Sequence, residues 1–121
     1  VKLIDEGPDM MPGENHENSQ LLIRSQVVRA RFRNSLSAPR KLTPGDVNRL
    51  EILFDDIAHH IKPGHRLVLQ IQSSLFPLLD RNPQTWLDNP YYAKKEDYKE
   101  CEVKIYHDRI RRSVIYLPVV E

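Results

Sequence analysis

Cysteine is nearly absent from this sequence: Cys101 is the single one in 121 residues. An internal disulfide is therefore excluded, and the redox compartment stays open. A charge surplus is missing too. Eighteen Lys and Arg face 17 Asp and Glu, for a formal net charge of +1, which argues against a nucleic-acid surface and against an acidic partner. No apolar run reaches the ~20 residues of a membrane-spanning helix, and the start lacks the basic-then-apolar pattern of a signal peptide. Glycine is scarce, four against nine prolines, which suits a β protein with long structured connections. What is present is a 40% hydrophobic content, enough for a modest core in one domain at this length.

The most informative stretch covers residues 64–82. Its first half alternates with period two: Leu67, Leu69 and Ile71 point one way, and Arg66, Val68, Gln70 and Gln72 the other. Lys62-Pro63-Gly64 supplies the turn that launches this strand. A serine pair, Ser73-Ser74, then breaks the alternation and opens a proline-bounded loop. Phe76 and Leu79 are expected to anchor that loop in the core, and Asp80-Arg81-Asn82-Pro83 to close it as an Asx turn in which Asp80 accepts the Asn82 N–H. Arg81 is then expected to project outward.

The run Gly-His-Arg-Leu-Val-Leu-Gln-Ile-Gln-Ser-Ser-Leu-Phe-Pro, followed by Asp-Arg-Asn-Pro-Gln-Thr, resembles the C-terminal β-domain of a family of α/β-serine hydrolases. That family includes cocaine esterase, α-amino-acid ester hydrolases, glutaryl cephalosporanate acylases and X-prolyl dipeptidyl peptidases. Collinear blocks at residues 1–5, 29–36, 42–45, 105–108 and 117–120 extend the likeness along nearly the whole chain. The resemblance implies an all-β fold, an antiparallel jelly-roll sandwich of galactose-binding-like type. It places Val1 in mid-domain, so residues 1–121 are expected to form the C-terminal portion of one non-catalytic domain that lacks its first strands. The implied partner is the catalytic α/β-hydrolase domain of a parent chain, with homo-oligomers as a further expectation, and neither nucleic acid, membrane nor cofactor is implied. His65, Arg66, Phe76, Asp80, Arg81, Asn82 and Trp86 become the candidate structural or domain-interface residues.

Elsewhere, residues 1–5 read as a strand end and residues 6–20 as a long polar loop. Residues 21–33 read as a second β segment, with Val28, Ala30 and Phe32 on one side and Arg29, Arg31 and Arg33 on the other. Residues 47–54 alternate again, with Leu50, Ile52 and Phe54 inward. Residues 91–100 have helix-compatible charge spacing. Residues 102–107 and 113–120 read as closing strands around a basic turn at 109–112.

Several constellations invite chemistry. Ser73 or Ser74 with Asp80 and His107 follows the hydrolase triad order, yet no Gly-x-Ser-x-Gly elbow accompanies it, and a non-catalytic reading is favoured. His59, His60 and His65 lie near Asp55 and Asp56, but adjacent histidines on a turn rarely converge on one metal ion. The arginine stripe is read as paired with carboxylates, across the sheet or on another domain. Trp86, Tyr91 and Tyr92 are read as interface anchors. The rival, a free-standing carbohydrate-binding module, would use the same three rings as a stacking platform.

Overall fold

β1 (Lys2–Glu6) is the middle strand of a three-stranded antiparallel sheet in the order β2-β1-β3, with β2 at Gln20–Ser25 and β3 at Arg66–Gln70. The computed structural model describes residues 1–8 and 19–120. They divide into two compact units, Val1–Gln72 and Ser73–Glu121. Ten residues of the expected long loop, 9–18, lie outside the described part, while Glu6 and Gln20 at its ends are paired strand residues.

Register follows from the pairing. On one face Leu3 lies opposite Leu69 and Arg24, and Asp5 lies opposite Leu67 and Leu21. On the other face Ile4 lies between Val68 and Leu22. A register shift between Leu3 and Ile4 on the β2 side skips Ile23, as a bulge does. β1 reads Leu-Ile-Asp at its centre, and these three side chains are the buried ones: Leu3, Ile4 and Asp5. Being flanked on both sides, β1 has its backbone covered along both edges. Within β3 only Val68 is shielded, although Leu67 and Leu69 share a face with the buried Leu3 and Asp5. Val68 is half-buried beside Ile4, whereas Leu67 and Leu69 remain exposed.

The Pro63-Gly64 turn forms as the sequence indicates, and Pro44-Gly45 forms a second one like it. His65 N–H donates to the Lys62 carbonyl (3.1 Å) with Gly64 at φ +82°, and Asp46 N–H donates to the Thr43 carbonyl (3.2 Å) with Gly45 at φ +86°. Both are the arrangement of a type II turn, with proline second and a left-handed glycine third.

Four expectations are corrected. The second β segment stops at Ser25, and Ala30–Phe32 forms a 3₁₀ turn. The arginine stripe is therefore not a strand face: Arg33 instead donates to the carbonyls of Ala30 and Arg40 (3.1 Å each). Residues 47–54 form no strand: Ile52 and Phe54 are half-buried, but Leu50, expected inward, is 47% exposed. The helix expected at 91–100 is two single 3₁₀ turns, Pro90–Tyr92 and Lys95–Asp97. Asn89 fixes the first by accepting the Tyr91 N–H (3.0 Å). Residues 102–107 and 113–120 flank the turn at Asp108 without strand pairing, although the Ser113 hydroxyl donates to the Tyr106 carbonyl (2.6 Å). Among the described residues the strands form one antiparallel sheet and no α-helix occurs, which agrees with an all-β class. None of their helices is long and apolar enough to cross a membrane.

Candidate functional site

In the Val1–Gln72 unit the polar centre is Asp5. Its side chain stands on the middle strand, flanked by Leu21 and Leu67, where a carboxylate needs partners to offset lost hydration. Two imidazoles supply them. His59 Nε2 lies 2.8 Å from Oδ2, and His65 Nδ1 lies 2.7 Å from Oδ1. An ionised carboxylate only accepts, so both ring nitrogens donate. The hydrogen bond from His59 holds the Asp5 carboxyl below its ordinary range; burial opposes this, and the bond from His65 reinforces it. The Lys62–His65 turn delivers His65, and the chain ahead of that turn delivers His59. Together they latch the 59–65 segment onto the sheet.

His65 is thus hydrogen-bonded to the buried Asp5 carboxylate. The two histidines grip different oxygens of one carboxylate, and among the described residues no group of His, Cys, Asp and Glu is arranged to hold a metal ion. Arg66, the next candidate, pairs with Glu6 across β1 and β3 (2.8 Å). Asp5 was missed as a site residue, and His59 was weighed only as a metal ligand beside His60 and His65. Asp5 lies 54 positions from His59 and 60 from His65 along the chain, which leaves no local signal to join it to them.

The remaining candidates belong to the Ser73–Glu121 unit. Phe76 is not a core anchor: it is 59% exposed, and the Arg81 guanidinium lies over its ring at 4.6 Å from the centroid. Arginine stacking on an aromatic face takes the place of burial there. Arg81 therefore does not simply project outward. Asn82 builds an Asx turn, its Oδ1 accepting the Gln84 N–H (3.3 Å), with Gln84 at φ +64°. Pro83 is buried, and its carbonyl accepts the Lys99 N–H (2.9 Å). Beside it the Thr85 hydroxyl donates to the Asp97 carbonyl (2.7 Å). These two bonds bind the 82–85 turn to the 95–99 segment. Asp80, Arg81 and Phe76 form an open groove with Lys95 and Tyr98. Trp86 is partly exposed and has interactions of its own. Ser74, one serine of the triad reading, has its hydroxyl oxygen accepting the Phe76 N–H (3.3 Å), and His107 is exposed.

The described strands thus form a small antiparallel sheet latched by a buried carboxylate. The chain belongs to the family described as the X-Pro dipeptidyl-peptidase C-terminal non-catalytic domain, whose sequence model matches residues 1–97. It is 27% identical over 123 aligned residues to a cocaine esterase of Rhodococcus sp. (strain MB1 Bresler), an alignment covering 100% of this chain and 20% of that protein. The chain thus spans about a fifth of the length of this curated relative. No solved structure matches it significantly.

Proposed function

We propose that this chain is the C-terminal portion of a jelly-roll, galactose-binding-like domain that buttresses the catalytic α/β domain of a serine hydrolase. The parent would cleave esters or amides, as an acyl esterase, acylase or X-prolyl dipeptidyl peptidase does, and the domain would also help set its assembly. The observation that carries this reading is the match of residues 1–97 to a domain described as non-catalytic, together with the likeness to cocaine esterase along the whole chain. The structure supports it on chemical grounds: the best-formed polar cluster is Asp5 with two histidines, and it serves to hold one segment on a sheet.

The test has two parts. The chain alone should not turn over nitrophenyl acetate, and turnover abolished by both Ser73→Ala and Ser74→Ala would overturn the non-catalytic assignment. Deleting the chain from the longer hydrolase should lower its melting temperature and its ester or amide hydrolysis. The exposed tyrosine pair Tyr91-Tyr92 is the feature that favours the rival carbohydrate module. Glycan binding lost on Trp86→Ala, with the fold intact, would replace the present reading by that one.

A further inference from the structure

The groove of the Ser73–Glu121 unit has two cations in its wall, Arg81 and Lys95, alongside Phe76, Tyr98 and Asp80. Asp80 already has an interaction of its own. Among the described residues the ion pairs are made by other cations, and neither Arg81 nor Lys95 has a carboxylate partner. Both are held on one frame. Arg81 precedes the Asn82 turn, Lys95 opens the Lys95–Asp97 turn, and the Lys99–Pro83 and Thr85–Asp97 hydrogen bonds tie the two together. The second turn is further fixed by Asp97 Oδ2, which accepts the Lys94 N–H (2.8 Å).

Contact with the Phe76 ring, 4.6 Å from its centroid, restrains the Arg81 guanidinium. A planar fork held this way is pre-organised for a carboxylate, since less side-chain freedom is lost on pairing. Phe76 and Tyr98 add aromatic surface to the groove, the composition that favours burial against another protein surface.

We propose that this groove is the docking receptor for an acidic segment of the hydrolase region of the parent protein. An Asp or Glu carboxylate sits in the Arg81 fork, Lys95 supplies the second positive charge, and the apolar stem of the segment lies against Phe76 and Tyr98. The inference rests on the buttressing role proposed above. The occupant follows from charge complementarity, from the two cations left without carboxylates, and from the four-fifths of the relative's length that lies beyond the region matched by this chain.

The experiment uses the full-length hydrolase, with limited proteolysis between the domains and thermal unfolding as readouts. The double reversal Arg81→Glu with Lys95→Glu is expected to speed inter-domain cleavage by about tenfold or more, because like charges then face each other. The milder pair Arg81→Gln with Lys95→Gln should act in the same direction, and the circular dichroism of both variants checks the fold. Raising salt should shrink the difference between wild type and the milder pair. Deletion of the chain is the control. If deletion destabilises the enzyme while neither pair alters cleavage or melting, the groove assignment is overturned and the buttressing role stands. If deletion changes nothing, the buttressing role fails and takes the groove with it.

Discussion

Asp5 is the buried charged side chain among the described residues, at 6% exposure, and it has an acceptor bond at each oxygen. Leaving either imidazole without the carboxylate strands a donor near the sheet, which is costlier than never having built the pair. Because the folded carboxyl titrates below its ordinary value, its contribution to stability is complete above the unfolded aspartate pKa. It is lost as the pH falls through the lower folded value. Asp5→Asn should therefore be clearly less stable than wild type at neutral pH, and the gap should close in strong acid. Denaturant titrations of both proteins across that window would check this, and a gap that stays constant with pH would show that Asp5 is not ionised in the latch. Asp108 offers an internal comparison. Its carboxyl is held low chiefly by the Arg111 N–H, with the Arg111 side chain and the Ile110 N–H adding to that, but it closes a turn of four residues rather than joining distant segments.

At the scale of elements, the two Pro-Gly turns separate local strain from what a turn positions. Neither Gly64 nor Gly45 has any atom within 4 Å of an added Cβ, so alanine at either site meets open space. The cost is the left-handed backbone alone, about 1–2 kcal/mol for an L residue. Gly64→Ala and Gly45→Ala should thus lose similar stability in chemical denaturation. Only Gly64→Ala should also disturb the His65 ring signals in NMR, because the Lys62–His65 turn sets His65 on Asp5. Equal effects on His65 from both would mean that the turn does not position the latch. The Lys62–His65 turn and strand β3 were legible in the sequence because proline, glycine and period-two alternation act within a few residues. The end of β2 was not legible: Arg-Ala-Arg-Phe-Arg alternates as a strand would, but Arg33 finds backbone carbonyls closer to hand. The Phe76 anchor failed for a similar reason, since the competing partner, Arg81, sits five residues on and reaches back over the ring. The Asp5 latch was legible only at His65, a structural candidate in the sequence, because Asp5 is brought to it only once β1 and β3 are paired.

For the whole molecule the decisive feature is how little of the apolar content is covered. Leu3 and Ile4 are the buried large hydrophobic side chains among the described residues, while Leu21, Leu22, Leu67 and Leu69 on the same sheet stay at least 40% exposed. In that sheet β2 and β3 are edge strands, each paired on one side to β1. Open edges beside exposed leucines are a template for pairing with another chain, and a second copy is the partner always available in a purified sample. Magnitudes set the expected strength. Association costs about 4–15 kcal/mol in lost freedom, and apolar burial contributes about 2.5 kcal/mol per 100 Å². A few hundred square ångströms of leucine-rich surface therefore only begin to offset the cost. Self-association should be weak and concentration-dependent rather than a tight, fixed dimer. Sedimentation velocity of the isolated chain across a wide concentration range should show the weight-average mass rising, and Leu67→Gln with Leu69→Gln should flatten the rise. Those two substitutions leave Val68, which faces Ile4, in place, so the sheet itself should persist in circular dichroism. A monodisperse, thermally robust monomer at high concentration would show that the leucine face and both edges are covered within one chain.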